Sequence, residues 1–289
     1  MPSHIYWRVG RYADASAANV KAAAVDEAYI AACNAQGFYP AAYYPHNIHF
    51  LWAASSMEGR SAIAIEAARK VAANVRLEMI DEFPGVEFFN TIPLLALVQF
   101  GRWDELLAEP RPAERLEYST AIWHYARAVA LANQGNTESA RAEYERFGPL
   151  RNETDVVFLD SIYYPASLLL AIADALILGE IAMAEEQYQK AIEHFRAAVD
   201  TQDALPYTEP PFWYYPTRHS LGKALLAAGD YATAEDVYRA DLEQYPRNGW
   251  ALFGLLQALN AQGKDSAATR QRFEDIWAQA DVTLSASRF

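Results

Sequence analysis

The chain has 289 residues, and its 37 acidic and 24 basic side chains give a net charge of −13. This acidic excess disfavours nucleic acid as a partner, because binding phosphates requires a basic surface. Cys33 is the single cysteine, which excludes an intramolecular disulfide and favours a reducing compartment. The first ten residues lack the charged and then apolar pattern of a secretory signal, so we expect a cytoplasmic protein.

A set of small and apolar residues recurs around glycines that are 34 residues apart. Gly101 and Gly135 form one such pair, and Gly229 and Gly263 form another. The set is Ala128, Leu131, Ala140 and Tyr144 around Gly135, and Gly222, Leu225, Ala234 and Tyr238 around Gly229. Small residues allow two helices to cross closely, and glycine allows the backbone to turn between them. This pattern is typical of the tetratricopeptide hairpin.

Further copies follow Gly10 and Gly59, and a copy without glycine covers residues 185–199. Together these give about seven helical hairpins, none of which can bury its apolar face alone. The sequence therefore predicts an all-α fold, a tetratricopeptide-type right-handed α-solenoid, as a single domain over residues 1–289. We expect an open concave groove and disorder only in the last few residues. The early intervals exceed 34 residues, so insertions separate the first units, and insertions often carry function.

The first insertion contains the least common chemistry. His46 and His49 stand three residues apart just after Pro45, which places both imidazoles on one helix face. They lie 13 and 10 residues before Gly59, at offsets that usually face the groove, and His4 lies six residues before Gly10, at another groove-facing offset. Three imidazoles with an open position would suit zinc, iron or copper. The alternatives are a metal-free polar site and a structural role as helix caps or hydrogen-bond partners of the backbone. Tyr44 and Asn47, with the aromatic residues Phe38, Tyr39 and Tyr43, would complete this wall.

Two further features lie in the middle of the chain. Tyr125 stands ten residues before Gly135 and is expected to face the groove as a ligand-binding residue. The longest apolar run, residues 165–183, is interrupted by Asp174 and Glu180. These charges favour a buried solenoid helix over a membrane span.

The segment from Leu205 to Leu221 contains four prolines, which forbid a continuous helix. Its aromatic residues would either wedge an irregular spacer into the core or form a lid over the groove. In the second interpretation Glu209 is a catalytic acid, base or ligand, Arg218 an anion clamp, and Trp213 and His219 groove residues.

Four blocks of the sequence recur together in a family of bacterial tetratricopeptide-repeat proteins. They are Pro-Ser-His at residues 2–4, His-Asn-x-His at 46–49, Glu-Pro-Pro at 209–211 and Pro-x-Asn-Gly-Trp at 246–250. The chain resembles this largely uncharacterised family over nearly its whole length, and the resemblance implies the fold but no activity.

Relatives in that family often carry repeats ahead of the Pro-Ser-His block, so this chain is expected to be a shortened form. Its first unit would then lack a cap and expose apolar surface around Ile5, Tyr6 and Trp7. Homo-oligomerisation or a partner protein would cover that surface.

Two functions remain open. The first is a scaffold that binds a peptide, a protein or a small polar molecule in its groove. The second is a metal-dependent hydrolase or oxygenase in which His4, His46 and His49 hold the ion and Glu209 moves a proton. The sequence contains no phosphate loop, nucleophile elbow or metalloprotease motif that would favour an enzyme.

Overall fold

The computed structural model describes residues 2–35, 37 and 39–289, and the regular elements in these ranges are all helical. Phe38, expected beside the imidazoles, lies outside the described residues. The α-helices are α1 (Pro2–Arg8), α2 (Tyr12–Cys33), α3 (Tyr44–Met57), α4 (Ser61–Ala73), α5 (Leu77–Glu82), α6 (Ile92–Gln99), α7 (Trp103–Ala108), α8 (Glu117–Asn133), α9 (Thr137–Leu150), α10 (Thr154–Ser161), α11 (Ala166–Ala184), α12 (Tyr188–Asp203), α13 (Arg218–Ala227), α14 (Tyr231–Gln244), α15 (Gly249–Ala261) and α16 (Ala267–Trp277).

Consecutive helices pack in pairs joined by short turns. The pairs are α1 with α2, α3 with α4, α6 with α7, α8 with α9, α11 with α12, α13 with α14, and α15 with α16. Between them lie a π-helical turn at Tyr39–Tyr43, a 3₁₀ helix at Pro84–Thr91, the short helices α5 and α10, and the irregular residues 205–217. The all-α tetratricopeptide-type solenoid is therefore confirmed. Whether each pair counts as one repeat stays a prediction, because the pairs differ in length.

The turns explain the recurring glycines. Gly135 has φ +78°, a left-handed conformation that side chains with a Cβ adopt at a cost. It ends α8, and the amide of Asn136 then donates to the carbonyl of Leu131 at 2.8 Å. The Asn136 side chain caps α9 by accepting from the amide of Ser139. In the pair without glycine, Glu186 takes the same place with φ +58°.

The small residues also have the predicted role. Gly222 on α13 and Gly254 on α15 both face the ring of Tyr238 on α14, and a Cβ at either position would overlap that ring. Gly179 has the same relation to Phe195 in the pair of α11 and α12. The ring of Tyr238 thus sets the distance between α13 and α14 within one hairpin and between α14 and α15 of the next.

The early and late parts of the chain are in contact. Trp250 of α15 donates from its indole nitrogen to the carbonyl of Ser56 on α3 at 2.9 Å. Asp281 accepts from the amides of Ser61 at 2.6 Å and Ala62 at 2.9 Å, so a residue of the last segment caps α4. Gly10 lies against the carbonyl of Pro246. The solenoid therefore closes on itself rather than leaving its first hairpin uncovered.

This closure corrects the expected apolar surface at the first unit. Trp7 is buried, and its ring packs edge-on against Tyr12 and Phe50. Tyr6 is half-buried beneath the guanidinium of Arg11, and only Ile5, 67% exposed, stands in solvent. Homo-oligomerisation through an uncapped unit thus loses most of its physical basis.

The expectation of disorder in the last residues is wrong. Ser287 and Arg288 are buried, and the ring of Phe289 packs against Trp250. Arg288 donates to the backbone and side-chain oxygens of Gln99 on α6 at 3.3 and 3.1 Å. Its guanidinium also lies 4.1 Å from the centre of the Tyr215 ring. The last residues of the chain are therefore part of the interior.

The helix α11 is long and apolar enough to cross a membrane by composition, and it is the one such helix in the described residues. Two thirds of its apolar window is buried inside the protein, where it packs against α12 and α8. Such burial is what a core helix of a folded domain requires.

Candidate functional site

A cavity of about 110 Å³ lies between α3, the 3₁₀ helix and the irregular segment 205–217. We call it the aromatic cavity. Its walls consist mainly of aromatic rings, prolines and aliphatic side chains, with two imidazoles and one carboxyl group. The lining residues are His46, His49, Trp52, Phe88, Thr91, Ile92, Leu95, Tyr118, Tyr164, Thr208, Glu209, Pro210, Pro211, Phe212, Trp213 and Tyr214. A concave apolar pocket with a few polar groups is typical of small-molecule sites.

Two insertions build this cavity. Pro45 stands in the first turn of α3, where a missing amide costs nothing, and the helix then presents His46, His49 and Trp52 at three-residue spacing. Opposite them, the prolines prevent a helix and residues 208–214 form a series of bends, so that consecutive side chains of this segment reach the cavity. The bond between Glu209 and Pro210 is cis.

Glu209, His4 and His46 form a chain of polar contacts at the edge of the cavity. Nδ1 of His4 lies 2.9 Å from Oε2 of Glu209 and must carry the proton, because a carboxylate only accepts. Nε2 of a neutral His4 is then an acceptor, and Nε2 of His46 approaches it at 3.5 Å. Glu209 also accepts from the hydroxyl of Tyr207 and lies 3.7 Å from Nε of Arg8. The carboxyl group is thus held from three sides.

Burial makes the two imidazoles of α3 weak bases. Desolvation lowers the pKa of His46, and the neighbouring His4 lowers it further. Desolvation, with a smaller contribution from His46, lowers the pKa of His49 to about 3. The ring of His49 stacks on Trp52 and meets Phe88 and Phe89 edge-on. Both side chains are therefore neutral at pH 7.

The three predicted metal ligands are only partly brought together. The facing nitrogens of His4 and His46 are close enough to share an ion, since a Zn–N bond is about 2.0–2.1 Å. His49 instead packs among aromatic rings, and Glu209 contacts the far nitrogen of His4. Within the described ranges no group of three or more His, Cys, Asp or Glu side chains is arranged to hold a metal ion. The three-histidine site stays a prediction without support from this geometry.

Tyr44 and Asn47 serve to dock α3 on α2. The hydroxyl of Tyr44 donates to Glu27 at 2.9 Å, and the amide of Asn47 donates to the buried Asp26 at 2.7 Å. Tyr39 of the π-helical turn donates to the same aspartate. Neither Tyr44 nor Asn47 lines the aromatic cavity.

Of the other predicted ligand-binding residues, one lines the aromatic cavity and three do not. Trp213 is buried and lines the cavity. Tyr125 is buried behind it, with its hydroxyl 2.8 Å from that of Tyr214. Arg218 is committed to a two-bond ion pair with Asp203 at 2.7 and 2.6 Å, so its guanidinium already has an anion. His219 is 0% exposed, and its Nε2 lies 2.8 Å from the amide nitrogen of Asn248.

The structure corrects the prediction of an open groove, because parts of the chain itself lie on the inner surface. The segment 205–217 lies along the first helices of the pairs, where Tyr214 meets Tyr125 of α8 and Tyr215 meets Ser220 of α13. Arg288 and Phe289 fill the space near α6 and α15. The chain thus occupies its own inner surface, as the wedge interpretation of the aromatic segment required. The lid interpretation stays a prediction, limited to the residues of this segment that line the aromatic cavity.

Sequence reasoning missed the opposite wall of the cavity. Phe88 and Thr91 belong to the 3₁₀ helix, whose short span has no repeat signature, and Tyr164 follows α10. Trp52 stands three residues after His49, so helical periodicity could have placed it beside the imidazoles. The buried indole nitrogens of Trp52 and Trp213 both have no hydrogen-bond partner.

Neither family models nor curated proteins match the sequence. Among solved structures, this chain is similar to a chain in the crystal structure of the APC/C hetero-tetramer Cut9–Hcn1. The TM-score is 0.34 and the identity 15%, over 97% of this chain and 55% of that chain. The protein therefore spans about half the length of that neighbour. Its class, a tetratricopeptide-type α-solenoid, is defined by its own helix pairs and turns.

Proposed function

We propose that this protein binds a small polar molecule in the aromatic cavity. The carrying observation is that this cavity, bordered by the segment that covers much of the inner surface, brings His46, His49 and Glu209 together with aromatic walls. A volume of about 110 Å³ accommodates a ligand of on the order of five to ten non-hydrogen atoms. Tetratricopeptide solenoids commonly act as interaction scaffolds, but an extended peptide would need the inner surface that residues 205–217 and 284–289 occupy. Protein partners would therefore use the outer surface.

A cavity-filling variant tests this function. Thermal unfolding would be followed with a panel of amines, amino acids, carboxylic acids and sugars at millimolar concentration. A ligand at ten times its Kd raises the midpoint by about 2–4 °C in a chain of this size. We expect at least one compound to do so in the wild type and in the control Thr201→Trp, but not in Thr208→Trp, whose indole fills the cavity. A panel without effect, or an equal effect on both variants, would contradict the proposal.

The chain from Glu209 through His4 to His46 favours an enzyme as the second candidate. A carboxylate that fixes an imidazole beside a cavity is an arrangement used for general acid–base catalysis. In the metal-dependent version, protein purified without a His-tag would contain stoichiometric zinc, iron or copper by elemental analysis. That metal would be lost in the His46→Ala, His49→Ala double variant. A metal-free protein would rule out this version.

We also propose that the protein is a member of the bacterial tetratricopeptide-repeat family and that it is cytoplasmic.

A further inference from the structure

The charge of the cavity wall restricts the ligand. Glu209 is the sole acidic residue of the lining, and the lining contains neither lysine nor arginine. The two imidazoles of the wall are neutral, for the reasons given above. A ligand in the cavity therefore meets one carboxyl group and no cationic side chain in the lining itself, while Arg8 lies 3.7 Å from that carboxyl group outside the lining. The protein as a whole has a net charge of −13. This arrangement would repel a small anion and attract a cation.

The aromatic rings act in the same direction. Trp52, Phe88, Tyr164, Phe212 and Trp213 surround a volume of about 110 Å³ on several sides. The face of an aromatic ring is negative, and it attracts an ammonium group within about 6 Å of the ring centre. The rings are fixed in place by mutual contacts, for example Phe88 stacked on Tyr164 at 5.1 Å and Tyr164 edge-on to Phe212 at 5.6 Å. The walls are therefore organised before a ligand arrives.

The indole nitrogens add a second requirement. Trp52 and Trp213 line the cavity, and the Nε1 atom of each is buried without a partner. A buried donor without an acceptor is unfavourable, so such groups normally find a ligand or an ordered water. An oxygen acceptor on the ligand would satisfy at least one of them.

We infer that the aromatic cavity binds a small organic cation, an amine or quaternary ammonium that also carries an oxygen acceptor. The cationic head contacts the ring faces and the side of the cavity that Glu209 forms, and the oxygen accepts from an indole N–H. This inference rests on the proposed function and narrows it to one class of ligand.

Calorimetric titration with three probes tests the ligand class. The probes are choline, its uncharged isostere 3,3-dimethylbutan-1-ol, and tetramethylammonium, which lacks the oxygen. We expect choline to bind at least about tenfold more tightly than the uncharged isostere, and several-fold more tightly than tetramethylammonium. Equal binding of choline and the isostere would overturn the requirement for charge. Equal binding of choline and tetramethylammonium would overturn the requirement for oxygen.

Matched variants locate the binding. Glu209→Gln keeps the shape of the side chain and is expected to weaken choline binding about tenfold. The control Glu143→Gln alters a similar buried arrangement, in which His124 lies 2.6 Å and Arg127 3.1 Å from the carboxylate, away from the cavity. Phe88→Leu, at a ring that lines the aromatic cavity, should weaken binding, whereas Phe273→Leu on α16 should not. Equal effects within either pair would overturn the location.

The inference and the proposed function can fail separately. If Thr208→Trp abolishes the stabilisation by a neutral or acidic compound while choline has no effect, the cavity is a binding site and the cationic class is wrong. If no compound depends on Thr208, both fail.

Discussion

At the scale of single residues, burial determines what each imidazole can do. His49 has its pKa lowered to about 3 by desolvation and by its neighbour His46, whereas an unfolded histidine titrates near 6.5. Between these values the unfolded state binds more protons than the folded state. The contribution of neutral His49 to stability is therefore fully present above pH 6.5 and is lost progressively as the pH falls toward 3.

This titration predicts a pH-dependent loss of stability that one substitution reduces. Between pH 7 and pH 5, His49 should account for about 2 kcal/mol of the decrease in the free energy of unfolding. We expect His49→Gln to remove that part, as measured by urea unfolding at both pH values. His194→Gln on α12 serves as the control because it removes an imidazole outside the cavity. An unchanged pH dependence in His49→Gln would show that the imidazole is accessible to protons.

The residue scale also shows what the sequence could predict about the site. The contact between His4 and His46 was predicted from their offsets before Gly10 and Gly59, because hairpins of one type repeat the same facing positions. The pairing of Arg218 with Asp203 could not be predicted, since it depends on how the irregular segment returns to α12. For the same reason the burial of His219 among Asn248 and Asp241 was missed.

At the scale of the helix pair, the turn conformation is a property of position rather than of residue type. Gly135 and Glu186 occupy equivalent turns, both with positive φ, and nothing lies close to the place of a Cβ at Gly135. The cost of a side chain there is conformational and not steric. This separation allows two substitutions of opposite sign.

Gly135→Ala should destabilise the protein by about 1 kcal/mol, because alanine disfavours the left-handed conformation. Gly148→Ala is its control: Gly148 lies inside α9 with open space around it and no left-handed φ, but the following Pro149 offsets part of the helical gain of alanine. This change should therefore cost clearly less than Gly135→Ala. Thermal unfolding measures both, and an equal cost at the two positions would contradict the argument.

Glu186→Gly should raise stability by up to about 1 kcal/mol, because glycine releases the strain of the left-handed turn between α11 and α12. Glu186→Ala removes the same exposed carboxylate but keeps a Cβ, so it should give no such gain. Equal effects of the two substitutions would assign the change to charge instead of backbone conformation.

The spacing of the pairs predicts coupled effects at Gly222 and Gly254. Each faces the ring of Tyr238, so each change to alanine should cost about 1–3 kcal/mol by overpacking. Because both added methyl groups would overlap the same ring atoms, the two changes should be coupled, and the cost of the double variant should differ from the sum of the two by more than about 0.5 kcal/mol in urea unfolding. If the two costs simply add, the two substitutions do not interact through the ring of Tyr238.

At the scale of the whole molecule, the last residues stabilise the closed form. Arg288 is 2% exposed, and its hydrogen bonds reach Gln99 of α6 and the hydroxyl of Tyr214. Arg288→Met keeps the length of the side chain but leaves these oxygens without their donor. We expect a loss of about 2–3 kcal/mol in urea unfolding, and no change for Arg272→Met on the exposed face of α16. Equal stabilities would mean that the tail only covers the interior.

The whole-molecule arrangement is also where sequence reasoning stopped. The 34-residue period predicts contacts between neighbouring hairpins, and those contacts are present. It carries no information on contacts between units far apart, such as that of Trp250 with Ser56, because they depend on the accumulated curvature of the stack. The prediction of an open groove is wrong for this reason, although the sequence does indicate the aromatic segment that lies in it.

The contact between early and late helices has a consequence for how such a protein can change. In a linear array of repeats, each unit touches only its neighbours, so units are gained or lost at little cost. Here the amides at the start of α4 are capped by Asp281, and an added or deleted unit would separate these partners. A change in the number of hairpins would therefore break contacts that the present number allows. This solenoid should also unfold in one cooperative transition rather than fray from one end.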